Sequence, residues 1–172
     1  MKKIKTLLIG ESPFSGKNYR NLKYSELNIK CKFKEVAFIP KSDTNYNVLS
    51  ITTYRRILGL LNKCKINEKN RQNFHNDINK LIKQLANDNI YLVNCSELKT
   101  LDFKNNYRNY ISVDTNIICF GKVAYEYIES IGLSNKIYHC PHPSGHVHHN
   151  FWDKYNKDKN SYAKSSSIEK LY

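Results

Sequence analysis

Four residues with chemically useful side chains lie just beyond the ends of four short apolar runs, namely Glu11, Asn94, Lys122 and His142. A carboxylate and an imidazole can transfer protons or stabilise a charge that develops during a reaction. An asparagine amide offers hydrogen-bond donors and an acceptor to a ligand, and a lysine after a glycine suits contact with phosphate. Together these side chains indicate a site for a polar ligand that carries phosphate.

The four apolar runs have the length and the composition of buried parallel strands, with helix-like segments between them. They span residues 4–9, 90–93, 117–120 and 137–139. Because the ligand crevice of a parallel sheet lies outside the carboxyl ends of its strands, the four residues are expected to converge on one site. We therefore predict a three-layer α/β/α domain with a central, mostly parallel four-stranded sheet.

The rest of the chain supplies further elements and a polar tail. The pattern predicts an extended segment at residues 34–39 that stops at Pro40. It also predicts three helices, at residues 47–62, 70–87 and 123–131, and the start of a last helix at residues 149–155. Residues 98–113 are polar, and their pattern does not decide between a helix and a strand. We expect one domain over residues 1–172, in which residues 156–172 form a loose polar segment.

The chain is strongly basic, with 28 lysine and arginine residues against 15 aspartate and glutamate residues and a formal net charge of +13. This excess favours a polyanionic partner, and nucleic acid is the commonest such partner of a basic domain. A generally basic, lysine- and asparagine-rich proteome is the alternative explanation. The neighbouring Arg55 and Arg56 are expected to be ordinary solvated charges rather than base-reading residues.

The spacing of cysteine and histidine gives no support to a metal site. The five cysteines are odd in number without a Cys-x-x-Cys pair, and the histidine-rich stretch at 139–149 lacks a His-Glu-x-x-His frame. We therefore expect no metal ion, a reducing cytoplasm, and free thiols at Cys95 and Cys119 in core surroundings. The sequence contains no apolar run of eighteen residues, so we expect no transmembrane helix. The apolar stretch after Lys3 is too short for a signal peptide.

The order of six segments resembles the uracil-DNA glycosylase superfamily over most of the chain. Gly-Glu-Ser-Pro-Phe-Ser-Gly at 10–16 is similar to the first motif of that superfamily, the water-activating loop, and His-Pro-Ser at 142–144 is similar to its second motif. Residues 36–38 resemble the strand of the base-stacking phenylalanine, and residues 90–94 resemble the strand of the base-reading asparagine. Residues 119–124 resemble the phosphate-contacting turn, and residues 150–152 resemble a later aromatic pair. The resemblance implies a DNA-repair glycosylase that flips an altered base out of the DNA and hydrolyses its N-glycosidic bond, with uracil as the first candidate base.

The resemblance also implies a role for each matching residue. Glu11 would orient water or balance the sugar cation, and His142 would stabilise the leaving base. The catalytic residues would be Glu11, Ser12 and His142, and the base-binding residues would be Asn94, Phe38 and Phe14. The DNA-contacting residues would be Gly10, Ser15, Gly16, Gly121, Lys122, Ser144 and His146. No cofactor is implied, and a monomer is expected to act on duplex or single-stranded DNA without contact to a membrane.

The chain departs from the superfamily's pattern at two catalytic positions and in the loop after His142. Ser12 stands where the best-known uracil enzymes have a water-orienting aspartate, and Glu11 stands where they have glutamine, although other branches share the Gly-Glu-x-Pro sequence. A leucine that often enters the duplex is also missing, so His146 or Val147 would have to replace it. Three functions stay open: a uracil glycosylase, a glycosylase for another modified base in repair or defence, and a non-catalytic base- or nucleic-acid-binding module.

Overall fold

The computed structural model describes residues 3–11, 20–41, 48–61, 65–67, 69–73, 78–144 and 151. The strands in these residues are β1 (Thr6–Gly10), β2 (Arg20–Lys23), β3 (Glu35–Lys41), β4 (Ile90–Asn94), β5 (Asn116–Phe120) and β6 (Ile137–Cys140). The α-helices in them are α1 (Thr52–Leu61), α2 (Ile78–Asn87), α3 (Cys95–Thr100), α4 (Phe103–Asn106) and α5 (Lys122–Glu129). Short 3₁₀ turns lie at Tyr24–Leu27, Val48–Ser50, Arg71–Asn73 and Tyr107–Asn109.

Strands β4, β1, β5 and β6 form the central sheet in that order, and every neighbouring pair is parallel. The predicted α/β fold class is therefore confirmed, and each of the four predicted strands lies within two residues of its expected bounds. Strand β1 is buried along its whole length, as a central strand covered on both faces must be. Because such crossovers are right-handed, the β1–β4 connection covers one face and the β4–β5 and β5–β6 connections cover the other.

Helices α1, α2 and α5 occupy the three segments in which helices were predicted, and each is shorter than predicted. The undecided segment 98–113 contains the end of α3 and all of α4. Gly132, which directly follows the helix predicted at 123–131, has a φ of 72°, a left-handed conformation that suits glycine after a helix. The last helix and the polar tail predicted at 149–172 lie outside the described residues, apart from Phe151, which is fully buried.

Strands β2 and β3 form a second, two-stranded antiparallel sheet. The sequence did not predict β2, since Leu22 is the one buried residue of its four. The prediction that Pro40 stops β3 was wrong, because the strand continues to Lys41. Strand β3 has one hydrogen-bonded neighbour and is thus an edge strand, where a proline without an N–H group is tolerated.

Two side chains attach the region of β2 and β3 to the central sheet. The Tyr24 hydroxyl lies at the outer edge of β4, where it donates to the Leu92 carbonyl (3.0 Å) and accepts from the Leu92 N–H (2.9 Å). The Glu97 carboxylate on α3 accepts from the amide nitrogens of Lys34 (2.6 Å) and Glu35 (3.2 Å). These bonds use backbone groups that an edge strand leaves unpaired, and they hold β3 beside β4.

The two thiols that were predicted to lie in the core have the expected surroundings. Cys95 and Cys119 are buried free cysteines, and burial raises the pKa of both thiols. They therefore stay protonated and pack as small apolar groups. Within the described ranges, no helix combines the length and the apolar character needed to cross a lipid bilayer.

Candidate functional site

The carboxyl ends of the four parallel strands meet at one edge of the central sheet. Gly10 and Asn94 are register partners at the ends of β1 and β4. Gly121 directly follows β5, and His142 follows β6 after one intervening residue. The chain leaves β1 toward β4 on one side and leaves β5 toward β6 on the other, so the gap between β1 and β5 is the point where parallel sheets of this kind bind ligands. Glu11 and Gly121 lie on the two sides of this gap.

Asn94 is the most unusual polar residue at this edge. Its side chain is 1% exposed, and within the described part of the chain neither its amide oxygen nor its amide nitrogen has a hydrogen-bond partner. Buried polar atoms are nearly always paired, because an unpaired one costs about 1–3 kcal/mol of stability. An amide buried in this way is suited to a ligand that brings one acceptor and one donor.

Phe38 provides an aromatic wall beside this amide. A Cβ added to Gly10 would lie 2.8 Å from Cζ of Phe38 and 3.4 Å from Oδ1 of Asn94, so glycine is required there and the ring and the amide both pack close to Gly10. The Phe38 ring also packs edge-to-face on Phe120, with 5.2 Å between ring centroids. Its φ of 65° is rare for a bulky residue and costs about 1–2 kcal/mol. Strain of this kind is concentrated at functional sites.

His142 is held in one tautomer at the other side of the gap. Its Nδ1 accepts a hydrogen bond from the Ser144 backbone N–H at 3.1 Å, so the proton of the neutral ring is on Nε2. Burial lowers the pKa of His142, and the charge of Glu11 opposes that shift. The ring packs against Gly121, where an added Cβ would lie 2.9 Å from Cδ2 and where the φ of 91° also favours glycine. The site thus contains an imidazole that is neutral at neutral pH and carries its proton on Nε2, for which the described residues supply no hydrogen-bond acceptor.

Three further predicted residues are described at this edge. Glu11 is exposed, and its charge acts to raise the pKa of His142, against the larger effect of burial, and adds to the raised pKa of Cys95. The Lys122 side chain is 79% exposed at the start of α5 and forms a 3.4 Å ion pair with Glu126. Ser144 contributes its backbone N–H to His142. The structure therefore brings Ser144 to the imidazole, places Glu11 after β1 at the same edge of the sheet, and leaves Lys122 on the surface.

Five predicted site residues lie outside the described residues, namely Ser12, Phe14, Ser15, Gly16 and His146. The described site consists of Gly10, Glu11, Phe38, Asn94, Gly121, Lys122, His142 and Ser144. A groove of about 980 Å³ lies elsewhere, around the start of β3, and contains none of these residues.

Arg56 on α1 is a site residue that the sequence analysis missed. Its guanidinium donates to the backbone carbonyls of Ser144 (2.7 Å) and Pro143 (3.3 Å) and lies 4.9 Å from the ring centre of Phe151. Arg55 likewise donates to backbone carbonyls, at 2.8 and 2.7 Å. The expectation that both are solvated charges was wrong. No local signal could reveal the role of Arg56, because its partners lie 87 and 88 residues away in the sequence.

No protein-family model, curated protein or solved structure matches this chain. The likeness to uracil-DNA glycosylases therefore depends on the short motifs alone, and any functional conclusion depends on the site itself.

Proposed function

We propose that the protein is a DNA glycosylase, which accepts an extruded, altered base between Phe38 and Asn94 and hydrolyses its N-glycosidic bond with the help of His142. The observation that carries the proposal is the buried Asn94 amide without a hydrogen-bond partner in the described residues. The Watson–Crick edge of a pyrimidine such as uracil offers a donor next to an acceptor. It would complete both hydrogen bonds of the amide.

The aromatic wall supports a planar ligand. A base held by Asn94 would lie against the Phe38 ring. This ring is fixed by Phe120, with 5.2 Å between the ring centroids, and by the close approach of Gly10. Stacking of a base on an aromatic side chain is worth about 1–3 kcal/mol, which is comparable to the cost of taking the base out of the DNA stack.

His142 supports the chemical step. When the bond between the sugar C1′ and the base nitrogen breaks, its electron pair goes to the base, water adds to C1′ as the new hydroxyl, and the proton that water loses is balanced by the proton that the released base takes up from solvent. A neutral imidazole whose Nδ1 is already occupied by the Ser144 N–H would donate its Nε2 proton in a hydrogen bond to a base carbonyl and stabilise the negative charge there. The nearby Glu11 carboxylate would orient the water and balance the positive charge of the sugar.

A non-catalytic base-binding module is the second candidate. It would use the same pocket, and one observation favours it: Ser12 stands at the position where the best-known uracil enzymes have an aspartate. The two candidates differ in whether Glu11 does the work of that acid.

The deciding experiment is incubation of the full chain with duplex and single-stranded oligonucleotides that carry uracil, hypoxanthine, xanthine or modified cytosines, scored for abasic sites. We expect release of one of these bases, with uracil tested first. His142→Ala should slow release about 100-fold or more, since it removes the donor to the leaving base. His139→Ala is the matched control, because this histidine lies on β6 and stacks on Tyr125 with 4.6 Å between ring centres; it should keep the wild-type rate.

Glu11→Gln separates the two candidates further. The substitution keeps the shape of the side chain and removes the charge that acts mainly in the transition state, so release should fall strongly while the DNA affinity stays nearly constant. Equal rates for Glu11→Gln and wild type would exclude the role given to Glu11. An inert wild-type protein that gains activity with Ser12→Asp would establish the binding module instead.

A further inference from the structure

We propose that Arg56 is a positioning residue for the reaction: it holds the Pro143–Ser144 peptide so that this peptide fixes the tautomer of His142. The inference rests on the role of His142 in the proposed function, but it makes a separate statement about the imidazole that holds whether or not the protein cleaves DNA.

The geometry connects three groups in series. The Arg56 guanidinium donates to the Pro143 carbonyl at 3.3 Å and to the Ser144 carbonyl at 2.7 Å. The Pro143 carbonyl and the Ser144 N–H belong to the same peptide group, and that N–H donates to Nδ1 of His142 at 3.1 Å. A cation on the oxygen side of a peptide polarises it and makes its N–H a stronger donor.

The position of Arg56 is itself well defined. It lies on α1, a helix that packs on β3, and its guanidinium is within 4.9 Å of the ring centre of the fully buried Phe151. Burial and the neighbouring Arg55 lower the pKa of Arg56, yet a guanidinium stays protonated at neutral pH. The loop that carries His142 is thus tied to a rigid helix by a permanent charge rather than by its own sequence.

The consequence for His142 follows from the sign of each interaction. A donor at Nδ1 favours the neutral ring with its proton on Nε2, and it therefore opposes protonation. Three charged groups lie on the elements around the ring in the described residues. The charge of Glu11 after β1 favours protonation, Arg56 on α1 bonds the Pro143 and Ser144 carbonyls of the same loop, and Lys122, which follows Gly121 at the start of α5, is paired with Glu126. Loss of Arg56 should thus raise the pKa of His142 and release the ring to mix its two tautomers.

The test is a titration of His142 by ¹H–¹⁵N NMR of the full chain, in which His142→Ala assigns the signals and the ¹⁵N shifts report the tautomer. We expect wild type to keep its proton on Nε2. Arg56→Met should raise the titration midpoint by about half a pKa unit or more, since it weakens one neutral hydrogen bond and removes a nearby cation. Arg56→Lys should give a smaller rise, because one ammonium keeps the charge without the planar fork.

Arg55→Met is the matched control. Arg55 also donates to two backbone carbonyls, those of Leu49 and Ser50, but neither belongs to the His142 loop. It should leave the titration and the tautomer of His142 at their wild-type values. A folded Arg56→Met protein with a wild-type midpoint and tautomer would overturn the proposal. If that variant does not fold, a wild-type titration in Arg56→Lys would overturn it equally.

The outcomes for the two proposals can be told apart. If wild type releases no base but the Arg56 variants shift the His142 titration, the positioning role stands and the glycosylase function fails. If wild type releases base, and Arg56→Met changes neither the rate of release nor the titration of His142, the function stands and the positioning role fails.

Discussion

At the scale of single residues, the site contains groups that make the fold less stable than it could be. The Asn94 amide is buried with neither polar atom bonded in the described residues, and Phe38 has a φ of 65°. Each feature costs on the order of 1 kcal/mol or more. Both side chains lie close to Gly10. Their coincidence at one edge of the sheet is what a ligand pocket predicts and what a purely structural core does not require.

The cost of Asn94 can be measured directly. Asn94→Leu, which replaces the amide by an apolar group of similar size, should raise the free energy of unfolding by about 1 kcal/mol or more while it abolishes base binding. Asn135→Leu is the control, because the Asn135 amide donates to the carbonyls of Ser112, Val113 and Thr115 at 2.7–3.2 Å, and its loss should lower stability. Urea unfolding measures both. Equal destabilisation by the two substitutions would mean that the Asn94 amide is satisfied in the free protein.

His142 should make the stability of the protein depend on pH. Its pKa in the folded state is lowered by burial, so between the ordinary imidazole pKa of about 6.5 and this lower value the unfolded chain binds more protons than the folded one. The free energy of unfolding should therefore fall as the pH is lowered through that window. His142→Asn, whose Oδ1 can accept from Ser144 without titrating, should flatten the dependence. The slope that remains belongs in part to His139, whose pKa burial also lowers; an unchanged slope would contradict the assignment.

At the scale of elements, the sequence predicts the central sheet well and the smaller sheet poorly. Strands β1, β4 and β5 are mainly apolar and almost wholly buried, because a strand covered on both faces needs apolar residues throughout, and the half-buried edge strand β6 was predicted from a shorter run. Strand β2 has no such pattern, and its place depends on pairing with β3 and on the bond from Tyr24 to Leu92, 68 residues away. The same limit applies to the site: residues at strand ends could be predicted, whereas the contacts of Arg56 depend on tertiary packing.

Tyr24 should be essential to the attachment of β3 to β4, and thus to the position of the Phe38 ring beside the Asn94 amide. Tyr24→Phe leaves the N–H and the carbonyl of the buried Leu92 without their partner, which should lower the free energy of unfolding by about 1–3 kcal/mol and speed amide exchange at Leu92. Tyr91→Phe is the control, since the Tyr91 hydroxyl makes no hydrogen bond in the described residues. The Tyr91 ring packs against the Tyr24 ring, with 5.7 Å between their centroids. Protection of the Leu92 amide that is equal in both variants would show that water replaces the hydroxyl at no cost.

At the scale of the whole molecule, charge and sheet polarity together say where DNA would bind. A net charge of +13 would attract DNA to the chain as a whole. The sheet adds a direction, because its carboxyl edge carries Gly10, Asn94, Gly121 and His142, while its amino edge carries none of the predicted site residues that the structure describes. A glycosylase must bring phosphates to the carboxyl edge, whereas attraction by net charge alone would use either edge.

The salt dependence of DNA affinity tests that direction. The logarithm of Kd should rise linearly with the logarithm of the salt concentration, with a slope set by the number of phosphates neutralised. Lys122→Ala removes an exposed cation at the carboxyl edge and should lower this slope by about one. Lys136→Ala removes an exposed lysine that directly precedes β6 at the amino edge, and it should leave the slope unchanged. Equal effects of the two substitutions would mean that DNA is held by overall charge, and a flat salt response in wild type would leave the basic composition without a function in DNA binding.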